Sequence, residues 1–126
     1  MKLIYEKLEA WQHSVDFANH VITLLGQHIP GRQSRNIIER AEMSSANIAV
    51  AIARAKCSRS RDDIIRQLYL SRRSLYETMT LLEIFRRNKW ISDDQFADVK
   101  TGSKKITSSL VNMMRNINLN TVLNVG

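Results

Sequence analysis

An all-α fold, an up-down-up-down bundle of four helices, is what this chain predicts, and three observations predict it. Apolar residues recur at steps of three and four in four separate segments, the spacing that lines one face of a helix. The chain of 126 residues holds one Pro and four Gly, too few for the turns of a β-sandwich. The gaps between the periodic segments are short, which makes sequential helices antiparallel neighbours. At 14.5 kDa and 44% hydrophobic residues the chain is long enough for one domain with its own core.

The first helix is expected from about Lys7 to Gln27. Leu8, Trp11, Val15, Ala18, Ile22 and Leu25 supply its periodic face, with Phe17 and Leu24 a heptad apart on the other side. His28-Ile29-Pro30-Gly31 breaks it, because Pro and Gly together rarely continue a helix. The second runs from about Ser34, a candidate N-cap, to Lys56, with Ile37, Ile38, Ala41, Ser45, Ile48, Ile52 and Ala55 facing inward. Its second half is crowded with Ala and Ser, which lets another helix come close.

The third helix opens at Ser60-Arg61-Asp62-Asp63, where Ser60 can cap and the aspartates meet the positive end of the helix dipole. Ile64, Leu68, Ser71, Leu75, Met79, Leu82 and Phe85 form its core stripe out to about Asn88. The fourth opens at Ser92-Asp93-Asp94-Gln95, a capping-box pattern, with Trp90 as the apolar residue ahead of it. Phe96, Val99, Ile106, Leu110, Met113 and Ile117 continue it, and Gly102 weakens it by about 1 kcal/mol relative to Ala. The bundle thus covers residues 1–117, and the Asn-rich tail 118–126 is left unassigned.

A bundle helix needs one apolar stripe, and two of these have more. Phe17 and Leu24 on the first helix, and Ile65, Tyr69, Leu70, Tyr76, Leu81 and Ile84 on the third, lie off the core stripes in rows. Rows of apolar side chains at helical spacing predict self-association through those residues. Tyr suits an interface because it offers apolar area with a polar tip.

Charge points to the partner. The formal net charge is +7 with a pI near 10.0, the balance of a protein that meets polyanions. From Arg54 to Arg73 stand Arg54, Lys56, Arg59, Arg61, Arg66, Arg72 and Arg73 against Asp62 and Asp63, a local net of +5. Arginine's planar fork donates two hydrogen bonds to one phosphate. Arg59, Arg66 and Arg73 repeat every seven residues, one row opposite the core stripe, with Arg72 beside it. A second cluster is Arg86, Arg87 and Lys89. The competing reading is a solvated face, with Arg59 or Arg66 paired to Asp62 or Asp63.

Catalytic signatures are missing. His13 and His20 are two turns apart, about 10 Å, too far to share a metal. Cys57 has no neighbouring His to activate it, and as the lone cysteine it cannot form an internal disulfide, which fits a reducing cytoplasm. Neither GxxxxGK[ST], GxSxG nor HExxH occurs. These absences predict no metal, no cofactor and no enzymatic activity. No apolar run long enough for a bilayer and no cleavable leader stand out, so the expectation is a cytoplasmic protein without membrane contact.

Three segments resemble a known family. Tyr5-Glu6-Lys7-Leu8-Glu9-Ala10-Trp11-Gln12 is similar to the "FEKLEVWQ" start of the bacterial four-helix-bundle, or ribosomal RNA intervening-sequence, proteins. Ile38-Glu39-Arg40-Ala41 and Ser45-Ala46-Asn47-Ile48-Ala49 resemble their "IRRAAVSIPSNIAEG" segment, without its Pro and with Val50-Ala51 for its Glu-Gly. Leu68-Tyr69-Leu70-Ser71-Arg72-Arg73-Ser74-Leu75-Tyr76-Glu77 resembles "FLYIARGSLSELE". That family is similar to the accessory variability proteins of diversity-generating retroelements. The resemblance implies a barrel-like homopentamer, a reverse transcriptase or nucleic-acid partner, and no catalysis of its own.

The expected function is therefore a non-catalytic accessory protein, a basic homo-oligomer that contacts RNA or DNA through Arg54, Lys56, Arg59, Arg66, Arg72, Arg73, Arg86, Arg87 and Lys89. The alternative is a pure protein-interaction module whose basic face meets an acidic partner protein.

Overall fold

The computed structural model describes residues 2–27 and 34–125, with side chains described as far as Ile117. Helix α1 spans Glu9–Gly26, α2 Arg35–Cys57, α3 Arg61–Arg87 and α4 Asp93–Val125, and the described residues hold no strand. The Pro30-Gly31 break lies outside the described residues. Helix α4 continues through the tail that the periodicity left unassigned.

Each helix packs on two others: α1 on α2 and α4, α3 on α2 and α4. Cross-helix contacts run in opposite chain directions, as an up-down-up-down bundle requires. Ser71 Oγ donates to the Ile48 carbonyl at 2.9 Å, Ser44 and Thr78 share a hydrogen bond of 2.7 Å, and Arg40 Nε meets Glu77 Oε1 at 2.7 Å. His13 Nδ1 lies 3.0 Å from Ser109 Oγ, and about one turn later on α1 Phe17 passes Gly102, about two turns earlier on α4. The buried hydroxyls of Ser44, Ser71 and Thr78 lie in the α2–α3 seam, and each is hydrogen-bonded, so burying them costs little.

The α2 and α3 stripes meet in the core as periodicity predicts. Ile38, Ala41, Ile48, Ile52, Leu68, Leu75, Leu82 and Phe85 are all buried. Helix α1 is turned by roughly a quarter-turn from its expected face. Its buried residues are Ala10, Ser14, Phe17, Ala18, Val21, Leu24 and Leu25, while Val15 and Ile22 are 37% and 42% exposed. Phe17 and Leu24 are thus core residues of their own bundle and cannot be an interface between copies, and Leu81, at 7% exposure, is another. The signal was hidden by Ala10 and Ser14. They share Phe17's face but are too small or too polar to register as a stripe, and Ser14 Oγ donates a hydrogen bond to the Ala10 carbonyl at 2.6 Å.

The helix ends use different chemistry. Ser60 Oγ accepts from the Asp63 N–H at 3.1 Å. At α4 the capping box closes in both directions: Ser92 Oγ accepts from Gln95 N at 3.0 Å, and Ser92 N donates to Gln95 Oε1 at 2.8 Å. Ser34 is at the N-cap of α2 but makes no side-chain cap bond, because its backbone is already in the right-handed helical region. The residue immediately ahead of the Ser92 cap is Ile91, which is buried. Trp90 belongs to the end of α3, where its N–H bonds the Phe85 carbonyl at 2.9 Å and its ring lies 5.2 Å from that of Phe85.

Candidate nucleic-acid interface

The basic residues separate into three groups once the helices are placed. Arg59 precedes the Ser60 cap and lies outside α3, so the seven-residue row of Arg59, Arg66 and Arg73 does not exist as one helical face. A cap residue must leave the helical conformation, and whatever precedes it leaves the helix register. Arg66 Nη2 is engaged by Asp63 at 2.9 Å in an exposed (i, i+3) pair.

The cluster at the end of α3 is largely neutralised. Arg86 donates to both carboxylate oxygens of Glu83, at 2.7 and 2.6 Å, and to Asp93 at 3.2 Å, while Arg87 Nε reaches Glu83 at 3.1 Å. The Arg86 hydrogen bond, helped by Arg87, pulls the Glu83 carboxyl down from 4.5 to about 2. The same bond to Glu83, with that to Asp93, holds the Arg86 guanidinium well above its ordinary value. Arg86 also lies 5.5 Å from the centre of the Phe96 ring. It ties the end of α3 to the start of α4. Lys89, beside it, is exposed and carries a left-handed backbone, φ 62°.

Arg54, Arg72 and Arg73 remain, around the α2–α3 seam. Arg72 is partly buried, with its guanidinium 4.8 Å from the Tyr69 ring centre and 6.0 Å from that of Tyr76. Cation–π contact of this kind holds the charge in place while leaving its donors open. Two hollows follow the seam. One, of about 180 Å³, is lined by Asn47, Val50, Ala51, Arg54, Gln67, Leu70 and Ser74. The next, of about 450 Å³, shares Leu70 and Ser74 and adds Arg40, Arg73, Tyr76 and Glu77. Arg54 and Arg73 therefore line neighbouring hollows along one seam. Both are exposed, and no hydrogen bond or ion pair to another described residue holds either guanidinium. Sequence reading missed Asn47, Gln67 and Ser74. Nothing in periodicity distinguishes a polar residue that borders a groove from one that faces water.

Lys56 and Cys57 end α2, both exposed. Lys56 borders a hollow of about 260 Å³ with Leu8, Ile64, Met113 and Ile117 among its walls. Cys57 lines the α1–α2 groove with Trp11, Val15 and Val50. His13, Asp16, His20, Asp98 and Lys105 border a cleft between α1 and α4. No group of three His, Cys, Asp or Glu among the described residues is placed to hold a metal ion. No helix among them is long and apolar enough to cross a membrane.

Of the expected association residues, Tyr69 and Tyr76 are 47% and 55% exposed, Leu70 and Ile84 are exposed at 38% and 39%, and Ile65 is half-buried. The structure adds exposed apolar residues Val15 and Ile22 on α1, a helix that does not touch α3, and Met43 and Val50 on α2, which packs on both.

A crystal structure of a protein of unknown function from the S23 ribosomal protein family of Bacteroides thetaiotaomicron superposes with a TM-score of 0.76 at 22% identity, covering 82% of this chain and 96% of that one. At that identity the likeness shows the fold. No curated protein matches the chain. The family model of the 23S rRNA-intervening sequence protein matches residues 6–112, from the turn before α1 to most of α4, and the chain belongs to that family.

Proposed function

We propose that this protein is a non-catalytic nucleic-acid-binding accessory factor that works as a homo-oligomer. The observation that carries this reading is the α2–α3 groove, with Arg54 and Arg73 free of ion pairs among the described residues in a chain of net charge +7. The family's name places its members with ribosomal RNA insertions, which fits RNA as the polyanion. Self-association is supported by two exposed apolar sets on helices that do not touch, Tyr69 and Tyr76 on α3 and Val15 and Ile22 on α1. A closed ring joins unlike patches head to tail, so it needs two. A pentamer and a reverse transcriptase partner rest on the retroelement resemblance alone.

The test is an anisotropy titration with RNA and DNA at several salt concentrations. Affinity should fall with a log–log slope of about −0.7 to −0.9 per phosphate neutralised. Changing Arg54 and Arg73 together to Gln should flatten the slope by about two phosphates and weaken binding alike across sequences. Absence of binding at low salt would sink the reading and favour the acidic protein partner.

A further inference from the structure

The groove between α2 and α3 holds more than charge. Gln67 Oε1 is shielded from solvent and has no hydrogen-bond partner among the described residues. A buried carbonyl oxygen without a donor costs roughly 1–3 kcal/mol, and folded proteins leave few of them. The last torsion of a Gln side chain is broad and nearly two-fold. A half-turn of the amide exchanges Oε1 with Nε2, so whichever end is turned inward lacks a partner until the side chain swings into the hollow that Gln67 lines and finds one there. Around it stand two further polar side chains, Asn47 and Ser74, and two exposed apolar ones, Val50 and Leu70.

We infer that this hollow takes one unstacked base of a single-stranded nucleic acid, with the Gln67 amide hydrogen-bonding the base edge and Arg54 and Arg73 holding the flanking phosphates. The inference rests on the nucleic-acid reading of the same groove. Size and charge select the occupant. At about 180 Å³ the hollow is below the roughly 300–1,000 Å³ of a pocket for a free ligand, so its occupant must be anchored elsewhere. A polymer held by its backbone meets that condition, and the uncommitted charge on the rim is positive. Gln67 and Arg73 are six residues apart on α3, about 9 Å along the axis, so base and phosphate contacts fall on one strand. A Gln amide donates and accepts at once and suits adenine best, where an exocyclic amine stands beside a ring nitrogen. Val50 and Leu70 give the flat face of the ring apolar walls.

The experiment compares an oligoadenylate, an oligouridylate and an abasic strand of equal length, at one salt concentration and across a salt series. Wild type should prefer oligoadenylate over the abasic strand. Gln67→Met, close in shape and helix propensity, should reduce that preference about fivefold, the worth of one hydrogen bond, and leave the salt slope unchanged. Thermal melting confirms that the variant is folded, and Asn47→Ala gives a second measure of the same preference. Equal affinity for all three strands, with a normal salt slope, overturns the base site and leaves the phosphate reading standing. No binding of any strand overturns both. A fall in oligomer mass for folded Gln67→Met assigns the groove to a second copy and overturns the base site.

Discussion

Lys89 adopts the left-handed conformation that usually falls to Gly, φ 62°, because α3 ends in a two-bond reversal there. Its own N–H reaches the Arg86 carbonyl at 3.0 Å and the Trp90 N–H reaches Phe85 at 2.9 Å, the Schellman pattern with its apolar contact between Trp90 and Phe85. Lys89→Gly should therefore stabilise the fold by about 1 kcal/mol, read as a rise of a few degrees in melting temperature, since a Cβ is strained against the following carbonyl in that region. Two residues before Phe85, where this reversal starts, Glu83 carries a pH dependence. Its folded-state pKa is depressed from 4.5 to about 2 by Arg86 and Arg87, so its contribution is complete above 4.5 and disappears as pH falls toward 2. Melting followed from pH 6 to pH 2 should show wild type losing stability below 4.5, with Glu83→Gln losing less. Identical profiles would mean that the carboxylate is not held by the two arginines.

At the scale of elements, Gly102 separates propensity from packing. Propensity alone predicts that Gly102→Ala strengthens α4 by about 1 kcal/mol. A Cβ there would lie 3.2 Å from Phe17 Cδ2, and the Phe17 ring is itself buried. The α1–α4 seam would have to open by a few tenths of an ångström, so Gly102→Ala should gain clearly less than propensity promises and Gly102→Val should destabilise. Calorimetric melting of both variants decides this, and a full propensity gain for Gly102→Ala would show that the ring yields freely. Phe17→Ala should cost about 3–5 kcal/mol, because it empties a core site. The rotated face of α1 makes that prediction. A face read from Val15 and Ile22 would have Phe17→Ala change association and leave stability alone.

For the whole molecule, the two exposed apolar sets predict a light-scattering mass several times 14.5 kDa at micromolar concentration. Tyr76→Glu should lower that mass while helical circular dichroism stays, since Tyr76 is 55% exposed and outside the core. A wild-type protein that scatters as a monomer would remove the ring. The groove, the Arg86–Asp93 tie between α3 and α4, and the rotated α1 emerge only at this scale, because each depends on which residues of two helices meet.

By itself the sequence determined the four helices, their order, the caps at Ser60 and Ser92, and the core stripes of α2 and α3. These follow from periodicity and local hydrogen bonding, which act over a few residues. It also determined the charge, since composition needs no fold. Only the tertiary structure decided which of two apolar faces of α1 is buried. Both have helical spacing, and the choice lies in how Ala10, Ser14 and Phe17 fit against α2 and α4. Likewise only the fold set Arg54 and Arg73 along one seam, brought Asp93 of α4 to Arg86, and left Gln67 Oε1 without a hydrogen-bond partner among the described residues. Those outcomes depend on distances across a helix–helix seam, and spacing along one chain does not encode them.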